Sequence, residues 1–200
     1  MHPNSAFNLA DEAAVLRFAS ERSFAHIFSS GAEGLAVVHT PVLVTPGGRV
    51  QFHVARRNRA AGQLASRRAL ISIAGRDGYQ SANWYASNDQ VPTWHYEAVE
   101  IEGSVRVLET AELVAFLDDL TEVMERRHSP ARPWTRTKMP PAKFQAMLGG
   151  IVGFELEPDA VRGTAKFNQH KRSEDRSAAI AGQLSAGRGD LAAALAEAAR

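Results

Sequence analysis

Two hundred residues and 21.7 kDa suit one large domain, or one domain with added pieces, and exclude three or four. Hydrophobic residues make up 44% and charged residues 22%, an ordinary globular mix that excludes wholesale disorder. Cysteine is absent, which removes disulfides, zinc–thiolate sites, iron–sulfur clusters and thiol nucleophiles, while Lys+Arg 23 against Asp+Glu 22 leaves a net charge of +1, far from the bias of a nucleic-acid binder.

The first predicted element is a helix. Asn8 and Asp11 make a cap-like start with negative charge in the first turn, and Val15, Phe18, Ala19 and Arg22 share one face. From Phe24 the texture becomes that of strands. Phe24–Phe28 ends at Ser29-Ser30-Gly31, and Leu35–Val44 is a second β-rich run broken by Pro41, which suggests an edge strand or a bulge. Gly47-Gly48 turns the chain into Val50–Val54, so these last two runs read as a hairpin. Arg56 to Leu64 reads as a short helix with a basic first turn, Ala69–Ala74 as a strand, and Asp77-Gly78 as a turn. Trp84–Pro92 reads as loop and Trp94–Leu108 as the longest alternating strand. Thr110 caps an amphipathic helix carrying Leu113, Phe116, Leu117, Leu120, Val123 and Met124. A proline-rich basic connection from Ser129 to Pro141 follows, then a short helix to Leu148, a strand Ile151–Leu156, and helices from Ser173 and Asp190. Six or seven short strands without βαβ alternation argue against a parallel sheet and for a small antiparallel barrel: mainly β, with peripheral helices.

The apolar runs are short and broken, so none is expected to span a membrane. Met1–Ser5 has neither the basic region nor the apolar run of a secretory leader, and the expectation is a cytoplasmic protein.

Chemistry has few places to sit. At the junction His53-Val54-Ala55-Arg56-Arg57-Asn58-Arg59, guanidinium groups meet a strand-to-helix turn, the ingredients of a phosphate site. Asn58 is a plausible cap, and Ala55 is small enough to let a ligand approach the backbone. The plainer reading, a solvated basic helix face shared with Arg67 and Arg68, stands ahead on local sequence alone. In His39-Thr40-Pro41 the proline removes a ladder donor and leaves a strand edge that a planar ring can use; an ordinary edge with a surface histidine is the simpler alternative. The aromatics Trp84-Tyr85 and Val91-Pro92-Thr93-Trp94-His95-Tyr96 either build core and interface or stack on a flat ligand. None of the seven histidines has the spacing of a zinc hydrolase, and no nucleophile elbow, Walker loop or dinucleotide glycine motif occurs. No metal site and no catalytic side chain are therefore expected.

The run Val91-Pro92-Thr93-Trp94-His95-Tyr96 resembles the Val-Pro-Thr-Trp-Asn-Tyr signature of the FMN-binding negative transcriptional regulators, the PaiB-type family. Further elements fall in register. His39-Thr40-Pro41 is similar to that family's Thr-His-x-Pro element, and Phe52–Arg59 to its Gly-His-x-Ala-(Arg/Lys)-x-Asn-Pro element. Gly75, Tyr79, Ser81, Trp84 and Tyr85 match a third, and Lys166-Phe167-Asn168-Gln169-His170-Lys171 a fourth. The resemblance runs from about Asn8 to Leu184. Arg59 stands where the family has proline, Arg76 follows Gly75, and His95 and His170 replace asparagines.

The resemblance implies an FMN-binding split β-barrel like that of pyridoxamine-phosphate oxidase, over 1–165, with a helical extension over 166–200. It implies a homodimer with FMN at the interface: the phosphate against Ala55, Arg56, Asn58 and Arg59, the ring along His39, Thr40 and His53. Trp94, with Trp84, would come from the partner subunit or the rim. Flavin-dependent redox chemistry needs no catalytic side chain, because the cofactor performs it. A flavin-free transcriptional regulator and a haem-handling split barrel are the alternatives. DNA binding follows from the family's name only; neither charge nor a recognition-helix motif supports it.

Overall fold

The computed structural model describes residues 2–9, 11–65 and 67–198. The chain forms two compact units: Leu16–Ile73 with Glu100–Val161, and Met1–Val15 with Ala74–Val99 and Arg162–Arg200. Six strands, β1 (Phe24–Gly31), β2 (Gly34–Val44), β3 (Val50–Ala55), β4 (Arg68–Gln80), β5 (Thr93–Val107) and β6 (Ile151–Lys166), close a barrel in the order β1-β2-β3-β6-β5-β4. The last three contribute residues to both units.

Period-two alternation builds the first unit. β1 turns Ala25, Ile27 and Ser29 inward, β2 turns Ala36, Val38, Thr40 and Val42, and β3 turns Val50, Phe52 and Val54. Phe52 stacks on Phe154 with ring centroids 5.5 Å apart, and Ile27, Ile71, Ile101 and Leu156 fill the same interior without exposure. Each such side chain contributes roughly 1.5–3 kcal/mol of burial. β5 and β6 approach so closely at Gly103 that a Cβ there would stand 1.9 Å from the Glu157 carbonyl oxygen.

Pro41 marks neither an edge nor a bulge. β2 pairs with β1 as far as Phe24↔Pro41 and with β3 from Val42↔Phe52. The proline thus occupies the residue at which β2 passes from one neighbour to the next, where a missing N–H costs least. The expected hairpin β2–β3 forms, its turn closed by Gly48 at φ +81° and by paired bonds between Thr45 and Arg49.

Outside the barrel, α1 spans Glu12–Arg22 and starts on Asp11, whose carboxylate accepts from the Ala14 amide at 2.7 Å. α2 spans Arg59–Leu64. α3 (Thr110–His128) and α4 (Pro141–Leu148) bury Leu113, Phe116, Leu120 and Leu148 in a second cluster with Leu108. The cap of α3 is Glu109 in place of Thr110, in a reciprocal box with Glu112 that Arg106 reinforces from β5.

In the other unit, α5 (Ser173–Ser185) and α6 (Gly189–Glu197) close over Tyr85 and Phe167 through Ala179, Leu191, Ala194 and Leu195. Buried Asp175 ties the 87 loop to α5 by accepting from the Ser87 amide and hydroxyl at 2.9 and 2.8 Å. The turn expected at Asp77-Gly78 does not form. β4 runs straight through, because Gly78 leaves room for Arg188 and Leu191, and Asp77 accepts the Trp94 indole N–H at 2.9 Å. β6 likewise continues past Leu156 to Lys166.

Candidate functional site

β2, β3 and α2 meet at one corner of the first unit. Inward-facing Thr40 donates its hydroxyl to the His53 carbonyl at 2.9 Å and locks β2 to β3. The alternate residues His39 and Pro41 on β2, and His53 and Ala55 on β3, point outward. β3 ends at Ala55, the Asn58 amide returns to the Ala55 carbonyl at 2.8 Å, and the Asn58 side chain caps α2 by accepting from Ala60 at 3.0 Å.

Three guanidinium groups surround this turn. Arg56 donates to the Gly149 and Ile151 carbonyls, each at 2.8 Å, and Arg59 donates to the Leu35 carbonyl at 2.6 Å. Arg57 is exposed. Among the described residues none of the three is paired with a carboxylate. Elsewhere Arg49, Arg68, Arg76, Arg106 and Arg136 all are. Backbone carbonyls orient Arg56 and Arg59 but do not neutralise them, so the turn keeps a concentrated positive charge that suits a phosphate.

The imidazoles differ in environment. His53 lies under α3, its ring 6.0 Å from Phe116, and burial lowers its pKa from the ordinary histidine value. His39 is exposed and meets His26 across the β1–β2 pair, with the two Nδ1 atoms 2.6 Å apart. One nitrogen must donate and the other accept, so one Nδ1–H points at the bare Nδ1 of the other ring.

The structure brings His39, Thr40, His53, Ala55, Arg56, Asn58 and Arg59 to this corner. Trp94 belongs to the other unit, where it is 51% exposed and bonded to Asp77. Sequence reasoning missed His26. Its signal was present: joining β1 and β2 as a hairpin through Gly31–Gly34 places residue 26 opposite residue 39. The cavity above His53, roofed by Trp134, Phe144 and Met147, was also missed, because its walls come from segments distant in sequence. Among the described residues no group of three potential ligands gathers that could hold a metal ion, and no helix is long and apolar enough to cross a membrane.

Residues 1–160 match the family described as "Putative FMN-binding domain". The chain is 32% identical over 106 residues to the "Protease synthase and sporulation protein PAI 2" of Bacillus subtilis, a match spanning 53% of this chain and 50% of that protein. It is 26% identical over 105 residues to a protein of Emericella nidulans, covering 48% and 42% respectively. The chain thus spans about half the length of the curated relatives it matches. Its fold is similar to that of the FAD and heme binding protein from Mycobacterium smegmatis, with a TM-score of 0.58 at 15% identity over 80% of this chain and 73% of that one. It is similar also to the flavocytochrome Anf3 from Azotobacter vinelandii, at 0.56 and 14% over 83% and 72%. With four motifs in register and the family match covering most of its length, the chain belongs to the PaiB-type family of FMN-binding domains and folds as a split β-barrel.

Proposed function

We propose that this chain binds FMN at the β2–β3–α2 corner and works as a cytoplasmic flavin-dependent redox protein, assembled as a homodimer. The observation that carries the reading is the trio Arg56, Arg57 and Arg59, three cations without a carboxylate among the described residues, grouped at one turn. A phosphate monoester supplies the missing counter-charge. Arg56 and Arg59, held by backbone carbonyls, are oriented before the ligand arrives, which lowers the entropy lost on binding. The ring lies along the outward residues His39 and Pro41, with the indole of Trp94 supplied across the dimer. FMN, when bound, supplies the electron-transfer chemistry, and the protein supplies position and protons. The Nδ1–H that joins His26 to His39 lies beside the ring, and His53, kept neutral by burial, adds no charge nearby.

The dimer is supported by the outward face of the β1–β2 ribbon, where Phe24, Phe28, Val37 and Leu35 are exposed together, Leu35 at 78%. Exposed apolar side chains grouped on one ribbon in this way are costly to leave in water. The absorption spectrum of the purified protein, followed by FMN titration, tests the reading. A flavin spectrum, or saturable FMN uptake, supports it; a Soret band, or no flavin uptake at all, overturns it.

A further inference from the structure

A separate cavity of about 250 Å³ opens between α3, the 129–140 connection and α4. His53 and Leu148 border its inner side, and Trp134, Met139, Phe144 and Met147 form its walls. Its lining carries one ion pair, whose two charges already neutralise each other. Arg136 donates to both Asp118 oxygens, at 2.8 and 2.9 Å, and lays its guanidinium over the Phe144 ring at 4.9 Å. A charged ligand would find no free counter-ion among these residues, so the occupant is neutral.

His53 sets the polar requirement. Its Nδ1 is sealed from solvent and has no hydrogen-bond partner, whereas Nε2 is not sealed in this way. A buried bare lone pair costs less than a buried orphaned N–H, so the proton of the neutral ring sits on Nε2. That N–H is a donor on a half-buried ring that borders the cavity. The matching ligand therefore presents an acceptor. Size narrows the class further: the cavity exceeds the roughly 150 Å³ that accommodates benzene and falls short of the ~300 Å³ where drug-sized sites begin. Thioether and indole walls favour an aromatic ring.

We infer that this cavity binds a small neutral aromatic carbonyl compound of one or two rings, its oxygen accepting from His53 Nε2–H. The inference rests on the cavity and not on the flavin reading.

The test uses the full chain labelled with ¹³C-methyl methionine, with 1-tetralone as probe and tetralin, the same skeleton without the oxygen, as control. Tetralone should shift the Met139 and Met147 methyls saturably and leave Met124, which lies outside the lining, in place. Tetralin should bind about tenfold more weakly, the share of one hydrogen bond. His53→Phe should erase that preference. Met147→Trp, in the cavity wall, should fill the cavity and abolish the remaining Met139 shift even if the first variant fails to fold. Equal affinity for the two probes, no saturable shift, or displacement of tetralone from these methyls by FMN would overturn the inference. Tetralone binding in a protein that takes up no FMN would leave it standing while removing the flavin reading; FMN uptake without tetralone binding would do the reverse.

Discussion

Arg56, Arg57 and Arg59, without carboxylate partners among the described residues, and three histidines held toward their neutral form define the molecule at the residue scale. His95 is fully buried, its Nδ1 bonded to the Lys166 carbonyl at 3.1 Å, and burial pushes its pKa down to about 4. Burial also lowers His53 and His170. The sign follows from proton counting. Above pH ~6.5 these rings are neutral folded or unfolded and contribute no pH dependence. As pH falls from there toward 4, the unfolded chain takes up a proton at His95 that the folded chain refuses, and stability declines. The slope reaches about 1.4 kcal/mol per pH unit for one fully displaced histidine. Urea melts at pH 7.5, 6 and 5 should show this fall, and His95→Asn should flatten it; a constant stability across the window would contradict the burial account. The carboxylates lowered by their partners, Glu112, Asp159 and Asp175, act below that window. A second residue-scale prediction concerns Gly103. A methyl group there meets the Glu157 carbonyl backbone, which cannot swing aside. Gly103→Ala should destabilise by at least the ~1–3 kcal/mol of an overpacked core, read as a lower urea midpoint at unchanged slope.

At the scale of elements, α2 depends on one side chain. Asn58 accepts from Ala60 at 3.0 Å, and Asn58→Ala should cost about 1 kcal/mol in chemical denaturation while loosening the turn that carries Arg56 to Arg59. A neutral result would mean that packing of Ala60 and Leu64 alone holds the helix. Much of this scale was legible in the sequence. β-rich runs bounded by turn residues located β1, β2 and β3, alternation located β5, and helical spacing located α3. The errors share a cause. Pro41 and Asp77-Gly78 carry local signals of interruption, and in both places tertiary neighbours outweigh them: a change of strand partner at Pro41, and the side chains Arg188 and Leu191 at Gly78. The Arg56–Arg59 corner was legible because its residues are contiguous. That Arg56 and Arg59 bond to backbone carbonyls at 149, 151 and 35 was not, since those partners come from other elements.

For the whole molecule, the exposed ribbon face predicts a dimer, and sedimentation at micromolar concentration should return twice the 21.7 kDa of the chain. Val37→Glu, on that face, should shift the protein to monomer; a wild-type monomer would remove the shared-site reading. The net charge of +1 predicts weak binding to random duplex DNA at physiological salt, since few counterions are available for release. The claim on which the rest depends is that the Arg56–Arg59 turn holds a phosphate. The direct measurement compares FMN with riboflavin, which lacks that group, on wild type and on Arg59→Ala. A partly desolvated, charge-assisted contact is worth about 1.5–3 kcal/mol, so the variant should lose roughly ten- to a hundredfold in FMN affinity while riboflavin binding stays nearly constant. Arg126→Ala, which breaks only the ion pair with Glu122 one helical turn away, should change neither. An equal loss for both flavins would assign Arg59 to the fold through its bond to Leu35, and would contradict the phosphate site.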